Sequence, residues 1–476
     1  MAKVLFVASE SAPFIKSGGL GEVIYSLSKE MRNIDIDAAV ILPKYSEIPF
    51  NYQNGMKKLN AFNVNVGWRN QYCGIEYLEH EGVPFYFVDN EYYFKRSGMY
   101  GHYDEAERFA FFCRAVIESL EYIDFMPDII HCHDWQTGMI APMLRIDYPK
   151  YNGIKTIFTI HNLYYQGVFP KEILEDLLGF DESAFNISGL EFYGGVSFMK
   201  GGLNYSDIIT TVSQNYAEEI KTPLYGERLD DILRAKSNIL FGIENGIDYN
   251  RYNPAHDTAI YQKYDGKTIN LKVNNKISLQ KELGLNADAE APMIGMVTRL
   301  VKQKGIDILL ARLEEIIKKN LQIVILGTGD KHYEDMLYEI KTVYPKKISV
   351  NIMFADRLAR KIYAASDIFL MPSLFEPCGL GQMIASKYGT VPIVRETGGL
   401  KDTVIPYNEY TREGTGFSFK NYNPGELSDI IDYAIKFYHD KKVWKTIMQS
   451  AMRLDNSWQK SSDKYKKLYE KVMGEK

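Results

Sequence analysis

"PFIKSGGLGEVI", residues 13–24, sets three glycines and a lysine between an apolar strand, "AKVLFVAS", and a segment with helical periodicity. A glycine-rich turn that opens a helix is an anion site, because unpaired backbone N–H groups and the helix dipole both point outward there. The arrangement returns late in the chain, where "VPIVRE" runs into "ETGGLKDTV" (396–404). A strand, a glycine loop and a helix, given twice, describe two parallel-sheet units, each with a loop suited to a phosphate. Gly-Gly turns are common in α/β proteins, so the loops alone leave a purely structural role open.

Outward from these loops, short β-branched runs alternate with longer amphipathic stretches, the pattern of parallel strands joined by crossover helices. "KVLFVAS", "DAAVILP", "PFYFVD", "DIIHCHD", "TIFTIH" and "DIITTVS" read as strands of a first half. "MIGMVTR", "LQIVILG", "ISVNIMF", "IFLMPS" and "VPIVRE" repeat the pattern in a second. Between them "NGIDYNRYNPAHDTAIYQKYDGK", rich in Asn, Asp, Gly and Tyr, reads as a connection. The expected fold is α/β: two doubly wound Rossmann-like domains facing a central cleft. Their expected bounds are 1–245 and 246–455, with a closing segment 456–476. Ligands in such sheets bind at the carboxyl ends of the strands.

Bulk properties narrow the function. A net charge of −5 argues against a nucleic-acid partner, which calls for a basic excess. No apolar run reaches the ~18 residues of a membrane span, and the amino end has no signal-peptide layout, so no membrane partner is expected. The four cysteines, Cys73, Cys113, Cys132 and Cys378, are scattered without zinc-like pairing, which suits reduced thiols and a cytoplasmic location.

Three segments carry candidate chemistry. "TRLVKQKGIDIL" (298–309) places Arg299 and Lys304 at a strand end, a planar donor fork beside a compact point charge, which suits a diphosphate. "MPSLFEPCGLGQMIASKYGTVPIVRETGGLKDT" (371–403) puts Glu376 in a turn before a helix expected to begin at Gly379. A carboxylate there accepts hydrogen bonds from sugar hydroxyls, or merely complements the helix dipole. "IIHCHDWQTG" (129–138) sets His131 and His133 on one face of a strand, but no third ligand stands nearby and no metal is expected. Asp134 and Trp135, at that strand's end, are better placed to line a cleft, and His161 likewise ends a strand in "FTIHNLYYQG".

With these segments assembled, the chain resembles the bacterial glycogen synthases and plant starch synthases, retaining glucosyltransferases of the GT-B fold. Nine motifs carry the resemblance in the family's order: "KSGGLGEV", "HCHDWQTG", "FTIHNLYYQG", "LEFYGGVSFMKGG", "TTVSQNYAEEI", "NGIDYNRYNP", "TRLVKQKGIDIL", "FEPCGLGQM" and "GTVPIVRETGGLKDTV". The resemblance implies transfer of glucose from ADP-glucose to the non-reducing 4-hydroxyl of an α-1,4-glucan, releasing ADP, with no cofactor. It implies phosphate contacts from Lys16, Gly18 and Gly19, and a diphosphate held by Arg299 and Lys304. Glu376 then binds the donor glucose, with Cys378, Gly379 and Leu380 completing its turn. His161 stands beside the anomeric carbon and Asp134 in the cleft. Thr397, Gly398 and Gly399 form the second loop over the phosphates. The final helix, "SWQKSSDKYKKLYEKVM", is expected to cross back onto the first domain.

The sequence departs from the family at three places. Glu22 stands where Asp is usual and Leu374 where Arg is usual. "YGERLDDIL" (225–233) lacks the Gly-Leu that the family tends to have after "YG-x". The open alternatives are a UDP-glucose-dependent GT-B transferase and a glucan-binding homologue without catalysis. A nicotinamide dehydrogenase is disfavoured, because the first loop reads G-G-L-G rather than G-x-G-x-x-G.

Overall fold

Buried β-branched runs decide the architecture. In the computed structural model, which describes residues 2–474, every residue of "IIHCH" (129–133) and of "QIVIL" (322–326) is buried. Strands covered on both faces belong to parallel sheets flanked by helices. The chain forms two compact units, one running through Gly246 and resuming at Trp458, the other spanning Ile247–Ser457.

The first unit carries β1 (Lys3–Val7), β2 (Asp37–Pro43), β3 (Lys57–Val66), β4 (Arg69–His80), β5 (Val83–Asp89), β6 (Ile129–His133) and β7 (Lys155–Ile160). It continues with β8 (Val168–Pro170), β9 (Glu191–Phe192), β10 (Gly195–Ser197), β11 (Ile208–Thr211) and β12 (Leu240–Gly242). Nine of these form one sheet in the order β12-β11-β7-β6-β1-β2-β5-β4-β3. It is parallel from β12 to β5, while β4 and β3 add an antiparallel hairpin at the edge. The sequence reading found no strand in that hairpin, because β3 is mostly exposed and mixes Lys and Asn with its apolar residues. β8, β10 and β9 make a small separate antiparallel sheet.

The helix Gly19–Asn33 follows the first glycine loop and buries Val23, Ile24, Leu27 and Met31, an apolar stripe of helical spacing. The carboxyl-terminal helix Trp458–Met473 packs against it, burying Tyr465, Leu468 and Tyr469 in the first unit's core. The expectation that this helix returns to the first domain describes what the structure shows.

The second unit is a six-stranded parallel sheet: β13 (Met293–Val297), β14 (Gln322–Leu326), β15 (Ile348–Asn351), β16 (Ile368–Met371), β17 (Val391–Arg395) and β18 (Phe417–Phe419). Their order is β15-β14-β13-β16-β17-β18, and a separate apolar core fills this unit. The "NGIDYNRYNP" connection belongs here: Ile247 bridges Ser457, and Tyr249 donates to the Leu454 carbonyl at 3.1 Å.

Each sheet reverses its winding once, between β6 and β1 in the first unit and between β13 and β16 in the second. The crevice at such a reversal, beyond the carboxyl ends of the strands, is the ligand position of doubly wound folds. Lys16, Asp134, Arg299, Lys304 and Glu376 follow β1, β6, β13 and β16, the strands at these two reversals, while His161 and Thr397, Gly398 and Gly399 follow the next strands, β7 and β17. Among the described residues, no helix is long and apolar enough to cross a membrane.

Candidate active site

In the second unit, the loops after β13, β16 and β17 meet. Lys304 Nζ donates to Glu376 Oε2 at 2.5 Å, and Ser373 Oγ donates to the same oxygen at 3.2 Å. Glu376 is buried and Lys304 half-buried, whereas Arg299 is exposed, its guanidinium 3.4 Å from Gln303 Oε1. A buried carboxylate without a cation is costly, so the ion pair sets where both groups lie.

Backbone contacts hold the pair. The Leu374 N–H donates to the Gln303 carbonyl at 2.9 Å, and the Gly399 N–H reaches the carbonyls of Glu376 and Pro377. Gly305, at φ +76°, would put a Cβ 2.1 Å from the Pro372 oxygen. Gly398, at φ +44°, would put one 2.0 Å from the Glu376 oxygen, and Gly399 one 2.3 Å from the Cys378 oxygen. The second glycine loop is thus first of all a packing requirement, letting the turn of Glu376 lie against it. Cys378 is buried in that turn, and its carbonyl accepts from Gln382 Nε2. The helix expected at Gly379 starts at Gly381 instead, because Gly379 takes a left-handed φ of +76°. Thr397 caps the short helix Gly398–Thr403, and Leu380 caps Gly381–Lys387.

Arg395 escaped the sequence reading. Its Nε donates to the Ser373 carbonyl at 2.7 Å and its Nη2 to the Leu374 carbonyl, clamping the strand-end turn from β17. Leu374 therefore has a guanidinium on its backbone carbonyl.

In the first unit, the loop after β1 is stapled by a buried carboxylate that also went unread. Glu10 accepts from Ser17 N and Ser17 Oγ, both at 2.7 Å, and from Gly21 N at 3.0 Å. Lys16 pairs with Glu22, whose longer side chain makes that reach. Ser17, Gly18 and Gly19 are exposed. Gly21 is needed for packing, since its Cβ would lie 2.7 Å from Lys16 Cβ. Gly18 is not: its backbone is extended and a Cβ there would meet nothing within 4 Å. No contact among the described residues accounts for the missing side chain at 18.

The loops after β6 and β7 carry Asp134 and His161. Asp134 Oδ1 accepts from the His161 N–H at 2.7 Å and the Asn162 N–H at 3.4 Å. Burial outweighs those bonds and, with the Glu10 charge adding to it, pushes the Asp134 carboxyl up to about 7. The structure also brings His161 against His133, Nε2 to Nδ1 at 2.9 Å. His131 Nδ1 lies 2.9 Å from the Tyr469 hydroxyl and its Nε2 2.6 Å from Thr159 Oγ1. His133 and His161 share a hydrogen bond, while His131 meets His133 only ring to ring, with centroids 4.2 Å apart; no metal-holding group of three His, Cys, Asp or Glu occurs among the described residues. Burial lowers His131 and His161 to about 3 and holds His133 well below the ordinary range, so all three are neutral at pH 7. His133 Nε2 is buried without a partner. A bare lone pair there is cheaper than an orphaned N–H, so His133 carries its proton on Nδ1 and donates to His161. His161 is then left with its proton on Nδ1.

The chain is similar to known proteins along its whole length. The family model "Starch synthase catalytic domain" matches residues 3–235, and "Glycosyl transferases group 1" matches 280–448. A glycogen synthase of Clostridium botulinum is 56% identical over 99% of both chains. The chain belongs to the glycogen synthase family. The solved catalytic domain of starch synthase IV from Arabidopsis thaliana, bound to ADP and acarbose, is 32% identical over 99% of each chain at a TM-score of 0.93. A sucrose-phosphate synthase from Thermosynechococcus elongatus, 15% identical at a TM-score of 0.66, shares the fold alone. The fold is GT-B and the chain is a glycosyltransferase.

Beyond Asp134 and His161 the same sheet edge opens into a cavity of about 500 Å³, lined by Trp135, Tyr165, Phe169, Phe192 and the pair Glu227–Arg228. Glu227 and Arg228 have φ of +48° and +66°. A left-handed conformation costs a non-glycine residue ~1–2 kcal/mol. Both residues lie in the segment "YGERLDDIL", whose backbone there takes a shape that suits glycine.

Proposed function

We propose that the enzyme transfers glucose from ADP-glucose to the non-reducing 4-hydroxyl of an α-1,4-glucan, with retention at the anomeric carbon, and releases ADP. The observation that carries this reading is the buried Lys304–Glu376 pair set against the Gly398–Gly399 loop. ADP bound in the Arabidopsis relative supports the choice of nucleotide. Four buried cysteines, scattered without zinc-like pairing, fit a reducing, cytoplasmic setting.

Cleavage of the glycosyl–phosphate bond builds negative charge on the departing diphosphate and positive charge on the sugar. Preorganised cations and N–H groups at the first charge are usually the largest catalytic contribution. In the second unit Lys304 and Arg299, with the loop at Gly398–Gly399, take that role, and Glu376 holds donor-sugar hydroxyls; in the first unit Lys16, with the loop at Gly18–Gly19, offers phosphate contacts. A covalent route would require a second carboxylate ~5 Å from the first. Glu376 instead has a lysine on it, which favours attack on the face the diphosphate leaves, with the leaving phosphate taking the acceptor's proton. Asp134 and His161 belong to the acceptor side, His161 as a neutral donor.

The test is incorporation of labelled glucose into glycogen from each sugar nucleotide. ADP-glucose is expected to serve best; preference for UDP-glucose would revise the donor, and incorporation from neither would overturn the reading. Lys304→Ala should lower kcat ~10²–10³-fold, far more than it weakens donor binding. Equal turnover in that variant would remove the lysine from the mechanism.

A further inference from the structure

We propose that the cavity between the loop 265–267 and the carboxyl ends of the helices Gly381–Lys387 and Lys441–Arg453 binds a small sugar phosphate, with Lys267, Lys387 and Arg453 holding its phosphate. The site lies wholly within the second unit and does not depend on the reaction proposed above.

The cavity holds about 470 Å³, the size of a small ligand, with Asn253, Gln449 and Met452 lining it beside the three cations. Its walls are fixed. Gln449 Nε2 donates to the Gly266 carbonyl at 2.9 Å, pinning the loop to the helix Lys441–Arg453. Gly389, at φ +64°, turns the chain two residues after Lys387, where a Cβ would lie 3.1 Å from Met452 Sδ. The Lys387 ammonium stands 3.9 Å from the centre of the Tyr249 ring. That ring is held at its far end, since its hydroxyl donates to the Leu454 carbonyl and accepts from the Asn456 N–H at 2.8 Å.

Three cations face one carboxylate here, in a chain whose net charge is −5. The carboxylate is already engaged: Asp265 Oδ1 accepts from the Lys267 N–H at 2.9 Å, and from the Thr268 N–H and hydroxyl, both at 2.8 Å. Among the described residues, no ion pair or side-chain hydrogen bond engages Lys267, Lys387 or Arg453. Lys387 is half-buried, and burial draws it below the ordinary lysine range, which the charge of Asp455 only partly offsets. A cation held out of water without an anionic partner is costly, and an anion in the cavity removes that cost. The place is also distinct from the candidate active site. The helix Gly381–Lys387 starts beside the Glu376 turn and ends at the cavity, so its 7 residues set the two ~10 Å apart.

A phosphomonoester brings about −1.5 to −2 charges at pH 7 and three strong acceptor oxygens, which matches the excess of two positive charges. Arg453 offers it a planar fork of donors and each lysine an ammonium. Phosphate alone would leave most of the cavity unfilled, and the amides of Asn253 and Gln449 suit hydroxyls on the remainder. Among the described residues that line the cavity none is aromatic, and Lys387 covers the nearby Tyr249 ring. A nucleobase therefore finds no face to stack on, and a sugar phosphate is favoured over a nucleotide.

Isothermal calorimetry on the full chain with ribose 5-phosphate, inorganic phosphate and AMP tests the site. Ribose 5-phosphate should bind more tightly than inorganic phosphate, and at least as tightly as AMP, which is the same sugar phosphate with a base added. Lys387→Met and Arg453→Gln should each raise its Kd about tenfold. Arg453 is exposed, so that variant should keep the wild-type thermal midpoint and separate binding from folding. Lys304→Ala, in the candidate active site, should leave this Kd unchanged. Absence of ribose 5-phosphate binding, or an unchanged Kd in both Lys387→Met and Arg453→Gln, would overturn the proposal. A loss confined to Lys304→Ala would overturn it too, by placing the phosphate at the candidate active site. Equal affinity for inorganic phosphate would leave a bare oxyanion site and tighter AMP binding a nucleotide site, and either would refute the sugar phosphate.

Discussion

At the scale of single residues, the glycines of the two loops do different work. Gly398 is fixed by its φ of +44° and by the Glu376 oxygen 2.0 Å from its would-be Cβ. Gly398→Ala should displace the Glu376 turn, lowering the thermal midpoint and abolishing transfer together. Gly18→Ala meets no atom within 4 Å and no strain. It should leave the midpoint unchanged yet raise KM for the sugar nucleotide several-fold; unchanged kinetics would make Gly18 incidental. Titration separates residues in the same way. Below about pH 6.5 the unfolded chain protonates His131 and His161 while the folded chain does so only near 3, so they remove stability as pH falls. Asp134 acts oppositely: the folded chain keeps its proton to about 7 and the unfolded chain loses it near 3.8, so its contribution is lost as pH rises between them. Asp134→Asn should therefore gain in urea midpoint on the wild type from about pH 4 to 7. A difference independent of pH would mean the carboxyl is not held protonated.

At the scale of elements, the carboxyl-terminal helix is the case where distant sequence completes local structure. Tyr465, Leu468 and Tyr469 give it one apolar face, and its Tyr469 hydroxyl meets His131 from β6. Tyr469→Phe leaves a buried ring nitrogen without that partner and should cost about 1–3 kcal/mol, measured by urea unfolding. A loss below ~0.5 kcal/mol would show that the hydroxyl contributes little. The helix's apolar periodicity is plain in the sequence and its return to the first domain was an expectation from family resemblance, but its place against the helix Gly19–Asn33 came only from the structure. The central strands were legible because each is a short apolar run closed by turn residues. The β3–β4 hairpin was not, since a half-exposed edge pair lacks such runs. Arg299, Lys304 and Glu376 were legible as strand-end cations and a turn carboxylate. Glu10 was not: its partners are backbone N–H groups up to 11 residues away, and no side-chain spacing marks them.

At the scale of the whole molecule, the proposed reaction joins a charged donor to a neutral acceptor. The chain's net charge is −5, so attraction for the donor comes from local cations rather than the overall field. KM for the sugar nucleotide should rise with added salt, as screening weakens its contacts with exposed Arg299, while KM for a maltooligosaccharide stays level. Parallel rises for both substrates would show that the salt acts on the fold instead.

Taken alone, the order of apolar runs and glycine loops determined that this chain makes parallel sheets with anion-suited loops at their strand ends, because periodicity and backbone freedom are local properties. The motif series determined the family. Tertiary structure alone decided that half-buried Lys304 and buried Glu376 form a pair, that Glu10 and Arg395 brace the loops, that three clustered histidines stay neutral, and that Arg228 holds a left-handed backbone beside an aromatic cavity. Those facts depend on distances between segments far apart in sequence and on how much water burial removes, neither of which is written in any one stretch of residues.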